Sequence, residues 1–295
     1  NCENILIEDT HFEYGPFWNL NPLYCKNMVI RNIEVVSRGR KGSMRNGDGI
    51  ALSSCNNVLI QGCTLNTGDD CIVIKSGRDT DGIRLGIPSE KIVIKDCICL
   101  EGHGGVVIGS ETSGVIRDVY VESCVFRGTS RGIRFKTART RGAYVKNIYF
   151  RNIDMEDISS EAILINMLRY TPRYPSFPVS TITPRYHNIN IENVRARNVT
   201  KYGIRLTGLP EMPMKKIRLS NIDISSKLGL QAMDADDVLI EGLVLETEDS
   251  NAAEIDNCKN LVIRDSEFIS GNGEQPRCDN CKGFQLINST FTTKK

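Results

Sequence analysis

Long apolar runs and a surplus of charge of either sign are both missing from this sequence. No stretch approaches the roughly 18 consecutive apolar residues that a membrane-spanning helix needs, and no charged-then-apolar leader opens the chain. The 37 basic and 36 acidic residues leave a formal net charge of +1. This balance predicts neither a nucleic-acid partner nor a membrane partner, and it leaves the oligomeric state open.

Histidine is scarce, whereas cysteine is not. The chain has three histidines but eleven cysteines, and an odd cysteine count leaves at least one thiol free. The only CxxC pair, Cys278 and Cys281, lacks the second pair or the histidines of a usual zinc site, so a metal is disfavoured and a local disulfide remains open. Cys63, Cys97 and Cys124 recur at one place in the repeat described next, which predicts a buried stack of thiols.

A nine-residue pattern recurs eleven times along the chain. It reads polar, apolar, any, apolar, polar, polar, small or apolar, any, apolar. Adjacent copies start between 21 residues (216 to 237) and 41 residues (147 to 188) apart. The copies begin at Asn4, Asn27, Asn57, Lys91, Asp118, Asn147, Asn188, Lys216, Asp237, Asn260 and Gly283. A regular period above about 20 residues is typical of a solenoid.

The alternation of apolar residues within each copy predicts short β-strands separated by polar turns, and no segment shows sustained helical periodicity with caps. Glycines between the strands are expected to supply positive φ at the turns. The sequence therefore predicts an all-β chain that forms one right-handed parallel β-helix over residues 1–295. Because Asn1 and Cys2 lead directly into a full copy, and an open solenoid end needs a cap, we expect an N-terminal cap or domain to precede this chain.

Carboxylates are concentrated in two neighbouring turns. Asp48 lies in Asn46-Gly47-Asp48-Gly49, and Asp69 and Asp70 follow 21 residues later, which is the shortest coil length. The three side chains are therefore expected to crowd on one face, where like charges raise at least one pKa. Glycosidic cleavage needs such a protonated acid beside an ionised base. The first motif alone would be an ordinary turn, but adjacent carboxylates at the start of a strand are harder to explain structurally.

Two further segments follow on later coils. His103 lies among the glycines of Gly102-His103-Gly104-Gly105, where it is open to a ligand, although a structural role is equally compatible with this setting. Strand alternation places Arg134 and Lys136 on one side and Ile133 and Phe135 on the other. Two neighbouring cations call for an anion, which can be a substrate carboxylate or the aspartates across the face.

These segments together resemble glycoside hydrolase family 28, the polygalacturonases. The family pattern is Asn-x-Asp, Gly-Asp-Asp, Gly-His-Gly and Arg-x-Lys, in that order on successive coils. Here the triplets are Asn46-Gly47-Asp48, Gly68-Asp69-Asp70, Gly102-His103-Gly104 and Arg134-Phe135-Lys136. The resemblance implies a secreted or periplasmic enzyme that hydrolyses the galacturonide bonds of pectic polysaccharides with inversion, using no metal or other cofactor.

The same resemblance implies a role for each site residue. Asp69 would protonate the leaving oxygen, Asp48 and Asp70 would activate the water, and His103 would hold or tune the acid. The substrate-binding residues would be Arg134 and Lys136, which face the galacturonate carboxylate, together with Asn46 and Tyr170.

Departures from the family pattern bear on specificity rather than on catalysis. Gly47 stands where many members have threonine, and 51–53 (Ala-Leu-Ser) lacks an acidic residue found there in many members, which indicates altered subsite contacts. The insertion 78–90 resembles one in exo-acting bacterial members and is expected to close one end of the cleft. A second long loop, 170–186, is expected to line the same cleft.

Two other functions remain open at this point. A pectate lyase is also a β-helix, and the aspartates would then bind calcium through oxygen. A non-catalytic carbohydrate-binding or adhesive β-helix would bind without turnover, and the fold alone does not exclude it.

Overall fold

A computed structural model describes residues 1–39, 42–43, 45–248, 251–271 and 273–294. These residues form twenty-six strands and one helix. The prediction of an all-β chain with parallel strands is confirmed. Among the residues described, no helix has the length and apolar character to cross a bilayer.

The strands before residue 110 are β1 (Glu3–Glu8), β2 (His11–Glu13), β3 (Lys26–Arg31), β4 (Glu34–Val36), β5 (Arg38–Gly39), β6 (Gly42–Ser43), β7 (Ile50–Ser53), β8 (Asn56–Gln61), β9 (Thr64–Asn66), β10 (Asp70–Lys75), β11 (Ser89–Lys95), β12 (Ile98–Leu100) and β13 (Gly104–Gly109). The others are β14 (Ile116–Arg127), β15 (Ile133–Lys136), β16 (Tyr144–Glu156), β17 (Ile163–Asn166), β18 (Arg185–Thr207), β19 (Met214–Met233), β20 (Ala235–Thr247), β21 (Ala253–Asp256), β22 (Lys259–Arg264), β23 (Glu267–Ser270), β24 (Arg277–Asp279), β25 (Gln285–Ile287) and β26 (Thr290–Thr293). The helix, α1, spans Asp79–Leu85 between β10 and β11.

The strands stack into three parallel ladders, one on each face of a parallel β-helix. The first runs from β1 through β3, β8, β11 and β14, and the second from β2 through β4, β9 and β12. The third begins with β7, β10, β13, β15 and β17. Long strands such as β18 bend around the corners and serve all three. Because like positions of successive copies pair in register, the repeat dictates the whole ladder.

Two residues in each copy of the repeat have a left-handed backbone conformation, which accounts for the polar residues found there. The first and sixth residues of every copy have positive φ, as Asn4 (58°) and Asp9 (50°) do in the first copy. Asparagine and aspartate tolerate this region better than other side chains, and they fill most of these positions. The expectation that glycine would supply the turns is therefore only partly correct. The amides also form ladders between coils, with Asn57 Nδ2 donating to Asn27 Oδ1 at 2.9 Å.

The inward-facing apolar residues form one continuous core along the helix axis. Cys63, Cys97 and Cys124 are fully buried in it, and the predicted thiol stack is confirmed. The pKa of the Cys97 thiol is raised to about 12, mainly by its hydrogen bond with Cys124 and also by burial. All eleven cysteines lie in the described ranges as free thiols, Cys278 and Cys281 included, so the disulfide left open for that pair is not present.

The short helix α1 was not predicted. It has seven residues and ends at Gly86, which has φ 59° and whose N–H donates to Gly82 O. Two turns are too few to show a helical period, and a glycine within them opposes a helical interpretation. Gly82 is needed for packing instead, because a Cβ there would lie 2.6 Å from the carbonyl carbon of Gly77.

Candidate active site

Two outward-facing rows on the third ladder form the floor of a cleft. The first row consists of Ala51, Val73, Val107 and Arg134, in register on β7, β10, β13 and β15. In the second row Ser53 pairs with Lys75, and Gly109 pairs with Lys136. The apolar members of the first row pack under Trp18. The floor is thus apolar in the first row up to Arg134, and it carries two lysines in the second row.

A cavity of about 800 Å³ opens above this floor. Its lining includes all eight residues that the sequence proposes for the site: Asn46, Asp48, Asp69, Asp70, His103, Arg134, Lys136 and Tyr170. The four motifs therefore meet on one face, as their order on successive coils predicts.

Asp70 is held by both cations of the fourth motif. Lys136 Nζ donates to Asp70 Oδ2 at 2.5 Å, and Arg134 Nη1 donates to Oδ1 at 3.2 Å. All three side chains are largely buried, and burial lowers the pKa of Lys136 and of Arg134. Neutralisation by an aspartate, the alternative left open by the sequence, is thus present. Asp70 balances one of the two positive charges, and the nearby Asp69 carboxylate also acts on Lys136 and Arg134.

Asp69 faces the open cleft and pairs with the histidine. His103 Nδ1 lies 3.0 Å from Asp69 Oδ1, and the side chains are 52% and 20% exposed, respectively. The backbone N–H of His103 also donates to Asp69 O at 2.9 Å. Burial raises the pKa of Asp69, but the hydrogen bond and charge of His103, together with Lys136, outweigh it, so the net pKa is lowered.

Asp48 is also buried, with its side chain 5% exposed. Its backbone carbonyl accepts hydrogen bonds from the N–H and the side-chain amide of Asn19, both at 2.9 Å. Burial raises its pKa to about 7, Lys75 opposes that shift, and Asp70 and Asp69 reinforce it. The prediction that crowding raises one pKa holds for Asp48, although burial is the larger cause.

The pKa directions place a proton more readily on Asp48 than on Asp69. The role implied for Asp69 as the acid needs the opposite order. A sugar bound in the cleft would cover the exposed fifth of the Asp69 side chain, and added burial raises a carboxyl pKa. The acid role therefore depends on the substrate raising the pKa of Asp69.

Lys75 is a site residue that the sequence reasoning did not identify. It is buried, its Nζ donates to Asp48 Oδ2 at 3.1 Å, and the same atom lies 3.3 Å from the ring centroid of Trp18. The signal was available, because Lys75 occupies an outward position of β10 just as Lys136 does on β15. It was obscured by the apolar residues that precede it.

Only the start of the loop 170–186 lines the cavity, together with Arg169 just before it. Tyr170 has φ 66° and is 77% exposed, and the Arg169 guanidinium lies 4.6 Å from its ring centroid. The next part of the loop is tied down elsewhere. Arg139 donates to the carbonyl of Arg173, and Arg173 in turn pairs with Asp234 on a later coil. The loop expected to line the cleft therefore does so through Tyr170 alone.

The insertion 78–90 carries two arginines, and it borders the cleft through one of them. Arg78 lines the cavity, whereas Arg84 does not and pairs with Asp81 at 3.6 Å. Arg141 anchors the insertion, since it donates to Asp79 Oδ1 at 3.3 Å and to Ser110 Oγ at 2.6 Å. The insertion is therefore fixed to the coil that carries Ser110.

Comparisons with known proteins identify the relatives of this arrangement. Residues 1–234 match the family model described as glycosyl hydrolases family 28. A probable polygalacturonase of Vitis vinifera is 36% identical over 228 residues, which cover 75% of this chain and 44% of that protein. A polygalacturonase of Cryptomeria japonica is 30% identical, over 76% of this chain and 41% of its own. The chain thus spans about half the length of the curated relatives it matches.

Solved structures show the same likeness in the fold. A hyperthermoactive exopolygalacturonase of Thermotoga maritima superposes with a TM-score of 0.67 at 29% identity, over 98% of this chain and 53% of its own. A family 28 exopolygalacturonase of Yersinia enterocolitica gives a TM-score of 0.67 at 21% identity, over 97% of this chain and 46% of its own. At that lower identity the likeness concerns the fold alone.

Proposed function

The chain belongs to glycosyl hydrolases family 28, and on this premise we propose that it hydrolyses the α-1,4-galacturonide bonds of pectin or polygalacturonate. We place this activity outside the cytoplasm, as a secreted or periplasmic enzyme acting on a pectic polysaccharide. The chemistry proposed for it uses side chains of the cleft alone.

The observation that carries this proposal is the surplus positive charge beside Asp70. Arg134 and Lys136 are both bonded to Asp70. Even with Asp69 beside them, the Arg and Lys residues that line the cavity outnumber the Asp and Glu residues by seven to four, so a further anion is favoured there. A galacturonate carboxylate supplies that anion, and a neutral sugar does not. Charge-assisted hydrogen bonds of this kind are about twice as strong as neutral ones.

The three carboxylates supply the chemistry. Asp69, which faces the opening beside His103, protonates the leaving oxygen. Asp48 and Asp70, which lie deeper, activate a water on the opposite face of the sugar. This division corresponds to inversion, for which the acid and the base stand roughly 6.5–9.5 Å apart. The experiment that tests it is proton NMR of the first product formed from a trigalacturonide, where inversion gives the β-anomer and retention gives the α-anomer.

We further propose that the enzyme removes single galacturonate units from the non-reducing end. The support is the insertion that carries α1. Arg141 fixes it beside the cleft, and its Arg78 lines the cavity. A fixed wall at one end turns a groove into a pocket that admits only a chain end.

Deleting 79–87 and bridging the gap with glycines is expected to convert exo-attack into internal cutting. The viscosity of polygalacturonate should then fall faster for each bond broken, and oligomers should join the monomer among the products. Arg84→Ala is the matched control, since Arg84 lies on α1 but away from the cavity, and it should leave the product pattern unchanged. Rapid loss of viscosity with the intact enzyme would contradict the exo mode.

On acidification, activity is expected to be lost at a higher pH than it would be with a base of ordinary carboxylate pKa. Asp48 must be ionised to accept a proton, and burial raises its pKa from 3.8 to about 7. A base with a raised pKa loses its charge as the pH falls through that value. In the complex, where the bound sugar raises the pKa of Asp69, kcat should therefore drop about tenfold per pH unit below that value. A profile of kcat between pH 3 and 9 checks this, and an acid limb near pH 4 would show that Asp48 is not the base that limits the rate.

A further inference from the structure

Lys75 lies on the floor of the cleft and has no role in the chemistry proposed above. Its side chain is 6% exposed, and its ammonium group is enclosed between the Asp48 carboxylate and the face of Trp18. Burying a lysine costs free energy unless its charge is compensated. Here a carboxylate at 3.1 Å and an aromatic ring at 3.3 Å provide that compensation, and cation–π contacts strengthen when they are desolvated.

The segment that carries Trp18 is built around the same carboxylate. The N–H of Asn19 donates to Asp48 O, and that of Leu20 donates to Gly49 O at 3.0 Å. The Trp18 ring packs on the apolar patch of Ala51, Val73 and Val107. The segment that places the Trp18 ring over Lys75 therefore also binds the backbone of Asp48 and Gly49.

The opposite side of the cleft repeats this arrangement. Lys136 belongs to the same outward row as Lys75, and it donates to Asp70 as Lys75 donates to Asp48. Gly109, which pairs with Lys136, lies between the two lysines in this row and carries no side chain. Two buried carboxylates are thus each held by one lysine, on either side of an open position on the floor.

We propose that Lys75 is a positioning residue that favours the ionised form of Asp48 and orients its carboxylate as a base. The inference rests on the proposed function for its catalytic meaning, but the effect of Lys75 on Asp48 is independent of it. The charged groups that act on Asp48 are Lys75, Asp70 and Asp69. Lys75 alone among these favours the ionised form, so its removal leaves burial and two like charges unopposed.

Lys75→Met removes the charge and keeps most of the side-chain volume. The pKa of Asp48 should rise by about 1–3 units, the range for losing an opposite charge at this distance. Below the wild-type value, kcat/KM should fall by the same factor, about 10–1,000-fold, and the two profiles should converge at high pH. KM should change less than about threefold, because the lost group acts through Asp48 rather than on the sugar. Lys75→Arg, which restores a cation, should recover most of the rate.

Two readouts separate this inference from the proposed function. Carboxyl ¹³C NMR, with Asp48 assigned through Asp48→Asn, reports the titration of Asp48 whether or not galacturonides are cleaved, and the pH profile reports its consequence for turnover. Lys146→Met is the matched control, since Lys146 also lies near an aromatic ring, at 5.6 Å from Tyr144, but outside the cleft. Lys75→Gln serves if the Met variant does not fold.

The outcomes are distinct. An upward shift of the Asp48 titration in Lys75→Met or Lys75→Gln, and not in Lys146→Met, supports the inference, even if no galacturonide is hydrolysed and the proposed function fails. An unchanged Asp48 titration, or an equal loss of kcat at all pH values that Lys75→Arg does not restore, overturns it while leaving the hydrolase proposal standing.

Discussion

Replacing Asp69 by asparagine is expected to lower kcat by about 10²–10⁴-fold, the contribution of a general acid, in a protein that remains folded. The amide has nearly the same shape and keeps an oxygen within reach of His103 Nδ1, which lies 3.0 Å from the present carboxylate. It cannot donate the proton that the leaving oxygen needs. The fold should tolerate the change, because Asp69 is partly exposed and its loss removes a negative charge beside Asp48 and Asp70.

Kinetics on polygalacturonate with a thermal melt of each variant measures this effect. Asp265→Asn is the matched control, since Asp265 occupies a left-handed turn position far from the cleft, where asparagine is equally suited. Near-normal turnover in a folded Asp69→Asn protein would rule out Asp69 as the acid.

Replacing Lys136 by methionine is expected to weaken galacturonide binding by at least about 2 kcal/mol, or roughly 30-fold, the lower limit for truncating a buried charge pair. The ammonium group proposed to bind the substrate carboxylate would then be gone, and Arg134 alone would be left to hold Asp70. Stability should also fall, since Lys136 and Asp70 are 10% and 2% exposed, and breaking a buried pair costs about 3–5 kcal/mol.

The selectivity of the loss distinguishes binding from structural damage. KM should rise far more for galacturonides than for neutral galactose oligomers of the same length. Lys215→Met, which breaks the exposed pair of Lys215 with Asp236 at 3.4 Å, should leave KM unchanged for both substrates. Equal losses on charged and neutral substrates would show that Lys136 has only a structural role.

The fold could be predicted because the repeat is a local signal that occurs many times. Alternation fixes which residues face the core, and the recurring Asn and Asp fix where the chain turns. Each copy therefore restates the same prediction. The helix α1 occurs once, is seven residues long and is held by tertiary contacts such as Arg141 with Asp79, so no local pattern could predict it.

The sequence could predict which residues line the candidate site, but not which of them form ion pairs with one another. Spacing along the chain placed Asp48, Asp69 and Asp70 on one face, since coil length determines which residues are neighbours. Which cation holds which carboxylate depends on side-chain depth, which a linear pattern does not contain. Lys75 was missed for that reason, and so was the order of the pKa values of Asp48 and Asp69, because burial determines it.

The most direct test of the account is to incubate this chain with polygalacturonate in the presence of a chelator, while following reducing ends and ultraviolet absorbance together. Hydrolysis by the carboxylates of the cleft predicts that reducing ends accumulate at a rate the chelator does not change, that no ultraviolet-absorbing unsaturated product appears, and that Asp69→Asn abolishes the signal. Ultraviolet-absorbing products whose formation stops with the chelator would contradict the account and identify a calcium-dependent lyase.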